Sequence, residues 1–381
     1  ALRRREGGLP HASAAPGHKT PRLTGCGDST VREVTRVLEE QAIKRGIQRN
    51  ADSVPLSIVS DNSQVRGVVT LDVPSGRIHA IQAKAVILAT EGHQGLWSKP
   101  SDGSGTGSAL AISAGIDLKG MEVTPRHPLT IRDCGIHIPL DVLGSGGRIR
   151  RENGDDVGPE EALEGETCVL DLRQMDADAK VWFSQTSMRI MDRLGIDISK
   201  DVIPLSPGVA YTTGGAPSDA QGRVVFQGHT TEGLPAELWH TGLYAAGRSA
   251  HTGMHGSNAL PGNLLLDDLV SGKAAGEHAS EWATEIKFGG NTQIEEAVKR
   301  EADRISSIMV GDGMAVAKFH SKLTSAISSG SSNEASLAEL RAIKDTGISL
   351  TDTSSVMNTE MAEALRLVGL ASVAEAILTS G

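Results

Sequence analysis

The sequence predicts an α/β fold followed by a helical C-terminal part. Two short apolar runs, Ala85 to Ala89 and Leu243 to Ala246, have the length and composition of strands that are buried on both faces of a sheet. Between residues 281 and 381, apolar residues instead recur at helical spacing. Buried strands combined with amphipathic helices favour an α/β domain with a helical domain after it.

A helix is predicted near the start of the chain. Thr30 followed by Glu33 has the spacing of a capping box, and the helical pattern ends near Gly46. The residues that fall on one face of this helix are apolar: Val34, Val37, Leu38 and Ile43. The sequence therefore predicts an amphipathic helix over this stretch.

A small β-meander is predicted to follow this helix. Val65 to Val73 and Arg77 to Ile81 have the composition of paired strands, and Pro74 to Gly76 supplies the turn between them. This hairpin leads into the buried strand Ala85 to Ala89, so a helix, a meander and a buried strand succeed one another.

The middle of the chain carries a predicted insertion. The Gly/Ser-rich loop Ser104 to Ser108 precedes a predicted short helix, Ala109 to Ala114. Residues 131–205 are less periodic, and we interpret them as an inserted lobe. A further helix is expected from near Gly262 to about Ser280.

The C-terminal part is predicted to consist mostly of helices. Ser328 to Ser332 interrupts the helical pattern, and Met361 to Ile377 has the spacing of an amphipathic helix. We therefore expect a helical C-terminal domain.

Composition argues against several classes of function. A net charge of -10 over 381 residues disfavours a nucleic-acid partner, since such domains usually carry a basic face. Cys26, Cys134 and Cys168 are far apart and odd in number, which suits neither a disulfide framework nor a CxxC metal site. No apolar run approaches the roughly 20 residues of a membrane span. We therefore expect a protein of a reducing compartment, with no metal site and no direct membrane span.

The two strand ends are the first candidates for a ligand site. The run VILAT is followed by Glu91 and Gly92, and the run LYAAG is followed by Arg248. Small residues at the end of a strand let the backbone approach a flat ligand closely. Each run alone also fits an ordinary buried strand that meets a tight turn.

The stretch from Gly242 to Gly276 is the most specific in the sequence. It reads GLYAAGRSAHTGMHGSNALPGNLLLDDLVSGKAAG. This resembles a segment of the succinate dehydrogenase, fumarate reductase and L-aspartate oxidase flavoproteins that reads AAGE, then HGANRLGGNSLLD, then a helix. Further stretches resemble the same family in colinear order: Ala85 to Glu122, Arg126 to Pro128, Tyr211 to Gly215, and Met357 to Leu365.

The resemblance implies a fold and a cofactor. It implies a two-segment, Rossmann-like FAD-binding domain with an inserted α+β capping domain and a helical C-terminal domain. The implied domains are a first FAD-binding segment (1–124), a capping and substrate domain (125–207), a second FAD-binding segment (208–280) and a helical domain (281–381). It also predicts a fragment open at both ends, with the G-x-G-x-x-G turn that holds the FAD pyrophosphate expected before Ala1.

The resemblance also assigns site residues. His127 and His255 match the catalytic histidines of the family. The positions expected to bind FAD are Ala89, Thr90, Gly92, Thr106, Gly107, Ser108, Gly247, Arg248, Gly262, Asn263, Leu264 and Leu265. The helix that begins near Gly262 would direct its free N–H groups and positive dipole end to the flavin. His127 also fits a packed turn residue, and His255 also fits a residue that anchors its own turn.

Several positions depart from the family pattern. The threonine and histidine expected to bind the substrate are Pro139 and Ala210, and the arginine of HGANRLGG is Ala259. The acid of the TGDG motif is Ser108, and the glutamate of AAGE is Arg248. Arg126, Arg132 and Arg248 are candidates to replace the lost positive charge, although Arg132 fits a surface residue better.

We therefore expect an FAD-dependent oxidoreductase that transfers hydride between flavin and a small dicarboxylate or related organic acid. An L-aspartate oxidase-like enzyme and a catalytically idle flavoprotein-like subunit are the alternatives. The resemblance implies electron transport linked to the tricarboxylic acid cycle and an iron-sulfur electron-transfer subunit as partner. It also implies a cytoplasmic location, at the inner face of the membrane through partner subunits.

Overall fold

The structure is a computed structural model of the chain. It describes residues 2–4, 7–97, 103–164, 167–175, 177–328 and 332–380. The predicted break at Ser328 to Ser332 lies partly outside the described residues. Ser328 ends one helix, and Ser332 caps the next helix by accepting the backbone N–H of Ala335.

Helices and strands alternate through most of the chain. The helices are α1 (Thr30–Lys44), α2 (Thr106–Ser113), α3 (Asp141–Gly144), α4 (Ala177–Trp182), α5 (Ser184–Leu194), α6 (Asn263–Glu285), α7 (Thr292–Met309), α8 (Val316–Ser328), α9 (Asn333–Thr346) and α10 (Thr359–Ser380). The strands are β1 (Ser53–Asp61), β2 (Gln64–Asp72), β3 (Arg77–Gln82), β4 (Val86–Leu88), β5 (Arg148–Arg151), β6 (Asp156–Val157), β7 (Cys168–Asp171), β8 (Ile203–Pro204), β9 (Ala216–Pro217), β10 (Arg223–His229), β11 (Pro235–Ala245), β12 (Ala250–His251), β13 (Met314–Ala315) and β14 (Ile348–Ser349).

The chain forms two compact units. The first unit contains residues 1–49, 126–210 and 259–265, and the second contains residues 50–125, 211–258 and 266–381. Both units are therefore assembled from separate segments of the sequence. The domain boundaries predicted at residues 124, 207 and 280 stay a prediction.

The second unit is organised around a six-stranded sheet. Its strand order is β1-β2-β11-β10, with β3 paired to β2 and β4 paired to β11. The β4–β11 pair is parallel, whereas β1–β2, β2–β3 and β10–β11 are antiparallel. Apolar side chains of β4 and β11 pack with those of α2 and α10, among them Leu88, Leu110, Leu243 and Val373. The predicted meander and both predicted strands are therefore confirmed, as is the burial of Leu243 to Ala246. The expected burial of the other strand on both faces is wrong, because Ile87 of β4 is 38% exposed.

The C-terminal helices α7 to α10 also belong to the second unit. The buried side chains of α8, α9 and α10 pack together in one cluster, which includes Phe319, Leu323, Leu340, Leu367 and Leu370. The apolar residues of α7 pack against β1 and β2 in a second cluster. The predicted helical character of residues 281–380 is confirmed. Within the described residues, no helix combines the length and the apolar character that crossing a membrane requires.

The first unit has its own sheet and core. Its four-stranded sheet has the order β6-β5-β7-β8, and its neighbouring strands are antiparallel. The buried side chains around it include Leu129, Ile131, Ile138, Leu170, Phe183, Ile190 and Ile203. The inserted lobe predicted for residues 131–205 is thus an α+β structure, and the predicted fold class is confirmed.

The start of α1 differs from the prediction. The helix begins at Thr30, but its cap residue is Ser29, whose side chain makes no capping hydrogen bond within the described part of the chain. Thr30 Oγ1 donates to the carbonyl oxygen of Gly27 at 2.6 Å and accepts the backbone N–H of Cys26 at 2.9 Å. The predicted capping box of Thr30 and Glu33 is therefore wrong, because the preceding turn uses the threonine hydroxyl.

The apolar face of α1 is present but is not buried. All 15 residues of the helix are described, and none of them is buried. Val37, Leu38 and Ile43 are 43%, 55% and 65% exposed. The pattern thus predicted the helix correctly, but this face has no apolar cover among the described residues.

The helix α2 begins earlier than predicted. It starts at Thr106, so that Thr106, Gly107 and Ser108 form its first turn instead of the end of a loop. Gly105, at φ 66°, precedes the helix in the left-handed region, where glycine is favoured. The first N–H groups of a helix have no partner within the helix, and here side chains supply partners: the N–H of Thr106 donates to Ser104 Oγ at 3.4 Å and that of Gly107 to Thr90 Oγ1 at 3.0 Å.

Candidate functional site

The carboxyl ends of β4 and β11 lie side by side in the second unit. Leu243, Tyr244 and Ala245 pair in parallel with Val86, Ile87 and Leu88. The backbone N–H of Ala246 donates to the carbonyl oxygen of Leu88 at 2.9 Å. Nucleotide cofactors of open α/β sheets bind outside the carboxyl ends of parallel strands. The two strand ends that the sequence singled out thus form one edge.

Ser249 joins the two strand ends through its hydroxyl. The backbone N–H of Thr90 donates to Ser249 Oγ at 2.8 Å, and Ser249 Oγ donates to the carbonyl oxygen of Thr90 at 2.8 Å. The hydroxyls of Thr90 and Ser249 lie 3.0 Å apart, and Thr90 Oγ1 also accepts the backbone N–H of Gly107 at 3.0 Å. Ser249 is fully buried. This Thr90–Ser249 hydroxyl pair therefore fixes both strand ends against the start of α2.

Two glycines of this edge are required by close packing. A Cβ atom at Gly107 would lie 2.5 Å from Thr90 Oγ1 and 2.9 Å from Ser249 Oγ. A Cβ atom at Gly92 would lie 2.2 Å from Thr212 Oγ1. All three distances are shorter than van der Waals contact, so only glycine fits without a displacement of the hydroxyl pair or of Thr212.

Ser108 and Arg248 each have a polar atom that is buried and unsatisfied. Ser108 is fully buried, and its Oγ has no hydrogen-bond partner among the described residues. Arg248 lies in the short turn Gly247–Ser249 after β11, and its Nε is buried with no partner in the described part of the chain. A buried donor without a partner costs about 1–3 kcal/mol. Each of these atoms is therefore suited to bind a ligand that accepts hydrogen bonds.

Gly247 and α6 hold the turn of Arg248 in place. Gly247 has a φ of 56°, and its N–H donates to Ser271 Oγ of α6 at 2.8 Å. A Cβ atom at Gly247 would lie 2.3 Å from Asp268 Oδ1, also of α6. Arg248 Nη2 lies 3.7 Å from Asp268 Oδ2. The turn therefore packs tightly on the helix.

His255 is oriented by a carboxylate of the same helix. Its Nε2 lies 3.0 Å from Asp267 Oδ2, and the two side chains are only 12% and 11% exposed. A carboxylate partner fixes the orientation of an imidazole ring. This bond supports the view that His255 anchors its turn, and it occupies the Nε2 atom of the ring.

Ala89, Thr106 and Gly262 to Leu265 complete the set of predicted cofactor positions. Ala89 is exposed, and Thr106 Oγ1 lies 2.8 Å from Ser104 Oγ. Gly262 to Leu265 belong to the first unit, where α6 begins at Asn263 as predicted. There Gly262 has a φ of 81°, and a Cβ atom would lie 2.3 Å from Leu23 Cδ1.

His127 lies in the first unit and is a neutral hydrogen-bond donor. Its Nδ1 accepts the backbone N–H of Leu129 at 3.2 Å, so the ring proton is on Nε2. Burial, and secondly the ring of His137 at 5.7 Å between centroids, lower the pKa of His127 to about 3. A neutral imidazole at ordinary pH can donate to a carboxylate through Nε2.

The first unit also contains the positions where the family pattern fails. Pro139, Ala210 and Ala259 all belong to it, and none of these side chains can donate a hydrogen bond. Arg126 and Arg132 donate to the carbonyl oxygens of Pro207 and Leu205 at 3.1 and 3.3 Å, on the segment that pairs with His127. The two arginines are therefore held near the histidine of the same unit.

The sequence did not indicate several residues that contact the predicted site residues in the structure. Ser249, Asp267 and Asp268 were not among the predicted site residues, although each is the partner of one. A signal for Ser249 was present, because it is a small polar residue two positions after the glycine at a strand end. Asp141 was also missed: burial first, and then Asp28, raise the pKa of its carboxyl to about 6.

We expect the stability of the fold to depend on the protonation of His93, which follows Gly92 at the strand end. Burial lowers its pKa from 6.5 to about 4, and it is 1% exposed. The unfolded state binds a proton below about pH 6.5 that the folded state excludes until about pH 4. Stability is therefore expected to fall as the pH falls through this window, by about 3 kcal/mol from this group.

Replacing this histidine should weaken that acid sensitivity. His93→Asn is expected to show a flatter dependence of the free energy of unfolding on pH in urea titrations. Exposed His229→Asn is the control and should keep the original slope. Equal slopes in the original protein and in His93→Asn would refute the assignment.

A comparison with known protein families identifies a family that this sequence matches. The sequence matches the FAD binding domain family over residues 2–265. It is 26% identical to a succinate dehydrogenase flavoprotein subunit of Rickettsia bellii over 400 residues, covering 93% of this chain and 65% of that protein. It is 30% identical to an L-aspartate oxidase of Mycobacterium leprae over 328 residues, covering 76% of this chain and 59% of that protein.

A solved structure of quinol-fumarate reductase with menaquinol molecules has a similar fold. The TM-score is 0.87 at 25% identity, over 99% of this chain and 72% of that one. The chain spans only part of its curated relatives, from 50% to 65% of the length of the first two of them.

Proposed function

Because this chain belongs to the FAD binding domain family, we propose that the protein is an FAD-dependent oxidoreductase that transfers hydride between flavin and a small organic acid. The observation that carries the proposal is the edge formed by β4, β11 and the first turn of α2. There the Thr90–Ser249 hydroxyl pair and Gly107 hold two strand ends together. FAD is the cofactor of this family.

The residues of this edge fit FAD. Ser108 Oγ and Arg248 Nε are buried without partners in the described part of the chain, and FAD supplies acceptors as phosphate and carbonyl oxygens. Gly107 and Gly247 leave no room for a side chain, because a Cβ atom would lie 2.5 Å from Thr90 Oγ1 or 2.3 Å from Asp268 Oδ1, respectively. When bound, FAD supplies the two-electron chemistry, and the protein supplies binding and orientation.

The first unit supplies candidate groups for the substrate. His127 carries its ring proton on Nε2 and remains neutral above about pH 3, so it can donate to a carboxylate oxygen. Arg126 and Arg132 add positive charge on neighbouring backbone. A negatively charged organic acid, such as a small dicarboxylate, is the substrate class that these groups suit.

Two alternatives have specific support. The 30% identity to an L-aspartate oxidase of Mycobacterium leprae favours an amino-acid substrate. The loss of donors at Pro139, Ala210 and Ala259 favours a catalytically idle subunit. An iron-sulfur electron-transfer subunit as partner, and a cytoplasmic location at a membrane through it, remain part of the proposal.

Anaerobic reduction of bound flavin tests these functions. The full gene product is mixed with succinate, L-aspartate or neither, and the flavin absorbance is followed. Bleaching by succinate, with recovery on addition of fumarate, is the expected result. Bleaching by L-aspartate alone would favour the oxidase, and retained flavin that neither acid reduces would favour the idle subunit.

A further inference from the structure

A second histidine, His137, lies beside His127 in the first unit. The two imidazole rings are 5.7 Å apart between centroids and are tilted by 55° to each other. Both side chains are half-buried, so solvent and small solutes can reach them. The resemblance assigned no role to His137, so this pair of histidines is a feature that only the structure reveals.

Backbone pairing fixes His137 opposite Thr130. Residues 127–132 pair with residues 136–138 on one side and with residues 204–208 on the other, and we call these three segments the histidine ladder. Thr130 and His137 lie directly opposite each other, between backbone hydrogen bonds of 2.8 and 2.9 Å. In an antiparallel pair, opposite residues that share no backbone bond have the closer side chains. The side chain of His137 is therefore held against that of Thr130.

The hydroxyl of Thr130 connects the two histidines. Thr130 Oγ1 lies 2.9 Å from His137 Nδ1 and donates to the carbonyl oxygen of His127 at 3.1 Å. Thr130 is only 5% exposed. A hydroxyl has one proton to donate, so both bonds form together only when His137 Nδ1 carries a proton and donates to Thr130. Any further proton that His137 takes up is therefore held on Nε2.

His137 lies on the outer face of the ladder, where other donors are missing. Ile136 and Ile138 are buried, whereas His137 and Pro139 are half-buried. This alternation is typical of an extended segment with one face in the core, so His137 and Pro139 share the outer face. The resemblance expects a substrate-binding threonine at position 139. His137 thus supplies a donor two residues before the position where one is lost.

The charged groups near His137 couple its protonation to an anion. Besides His137, the ladder, its turn and the residue before it carry these titratable side chains: Arg126, His127, Arg132, Asp133 and Cys134. Both guanidinium groups donate to backbone carbonyl oxygens of residues 204–208, and Asp133 is exposed. Positive neighbours oppose a second proton on His137, whereas a bound anion favours it.

The two histidines differ in the charge that they can carry. Burial, and secondly His137, lower the pKa of His127 to about 3. His127 therefore stays neutral at ordinary pH and donates through Nε2, as its bond to the backbone N–H of Leu129 requires. Two imidazolium rings this close would repel each other, so His137 is the member of the pair that takes up a proton.

We propose that His137 is a substrate-binding residue of the first unit, positioned by Thr130, and that it donates through Nε2, as an imidazolium, to a carboxylate of the substrate. This inference rests on the proposed function and adds one property to it. The organic acid binds together with a proton, which comes from the solvent and is held on His137 Nε2.

Calorimetric titration of the flavin-containing full gene product with succinate and with L-aspartate tests this coupling. Binding heats measured in buffers of different ionisation enthalpy give the number of protons taken up. At about pH 8, above the ordinary histidine pKa of about 6.5, the original protein should take up about one proton per bound anion. His137→Gln should take up none, and at about pH 6 it should bind about ten- to hundredfold more weakly, because a charge-assisted hydrogen bond is lost.

Two further histidine variants separate this role from a general effect. His127→Gln should also weaken binding, but it should keep the proton uptake, because His127 donates as a neutral ring. His278→Gln is the matched control. His278 is half-buried in the second unit, and its Nδ1 lies 2.9 Å from the hydroxyl of Tyr244, so the histidine is again bonded to a hydroxyl. This control should change neither the affinity nor the proton uptake.

Equal proton uptake by the original protein and by His137→Gln would overturn the inference, and flavin reduction by an organic acid would then leave the proposed function intact. A protein that retains flavin but neither binds nor is reduced by these acids would overturn the proposed function, and the inference with it. Should His137→Gln fail to fold, Thr130→Val should lower the uptake and Thr130→Ser should keep it. Unchanged uptake in Thr130→Val would also overturn the inference.

Discussion

Replacing Arg150 and Arg173 together by methionine is expected to lower the free energy of unfolding by about 3–5 kcal/mol. Both arginines bind the carboxylate of Asp171, which is 3% exposed. Asp171 Oδ2 accepts from Arg150 Nη1 at 2.8 Å and from Arg173 Nη2 at 2.8 Å, and Oδ1 accepts from Arg173 Nε at 2.9 Å. The double variant leaves a buried negative charge without a cation.

The pH dependence of this variant has a defined sign. Hydrogen bonds and charge, first from Arg173, lower the pKa of Asp171 to about 2. The original protein thus keeps this stabilisation above the ordinary carboxyl pKa of about 3.9 and loses it as the pH falls toward 2. The difference between the original protein and the variant should therefore shrink as the pH falls from neutral to about 4, because the variant's Asp171 takes up a proton.

Two further variants complete this test. Adding Asp171→Leu to the double variant should restore most of the lost stability, since an apolar replacement of a whole buried ion cluster is often nearly neutral. Arg151→Met, on the same strand, removes an exposed pair with Glu161 and should cost at most about 1 kcal/mol. The free energy of unfolding of each variant is measured by urea titration. A double variant as stable as Arg151→Met would contradict the assignment.

Gly107→Ala is expected to remove most of the bound flavin. The added Cβ atom would lie 2.5 Å from Thr90 Oγ1 and 2.9 Å from Ser249 Oγ, so the hydroxyl pair must shift. Two or three hydrogen bonds worth about 0.5–1.5 kcal/mol each are then lost or distorted, and a loss of this size in FAD binding corresponds to a decrease in affinity of about fivefold to about two-thousandfold. The flavin content of the purified protein measures this loss.

Gly272→Ala is the control for Gly107→Ala. Gly272 lies in α6, and a Cβ atom there meets nothing within 4 Å. Alanine is the better helix former by about 1 kcal/mol, so this variant should keep its flavin and unfold no more easily than the original protein. Full flavin retention by Gly107→Ala would mean that the edge of β4 and β11 does not bind the cofactor.

Strands with a continuous apolar run were predictable from the sequence, and bulged strands were not. Val86–Leu88 is short, apolar and largely paired, so its composition alone indicated it. The strand Ser53–Asp61 has register shifts between Pro55 and Ser57 and between Val59 and Ser60. Such bulges interrupt the alternation of inward and outward residues, which removes the periodic signal.

The strand Pro235–Ala245, which forms the other half of the site, was also predictable only in part. Its buried end, Leu243 to Ala245, was predicted, but the strand begins at Pro235. Residues 235–239 are exposed or half-buried and include Glu237, so this half of the strand lacks an apolar pattern. Sequence patterns thus locate the buried end, where the candidate site lies.

Positions in the candidate site could be predicted by resemblance, but their partners could not. The resemblance pointed to Thr90, Gly107 and Arg248, and the family match supports the cofactor. Ser249 bonds to Thr90 across 159 residues of sequence, and Asp268 approaches Arg248 only because α6 packs on the turn. Such pairs depend on tertiary packing, which local sequence patterns do not encode.

The flavin content of the purified full gene product tests the central claim most directly. The protein is denatured after purification, and the released cofactor is identified and compared with the protein concentration, with Gly107→Ala and Gly272→Ala purified alongside. The account predicts stoichiometric FAD in the original protein and in Gly272→Ala, and little in Gly107→Ala. A folded original protein without FAD, or equal FAD in all three, would contradict it.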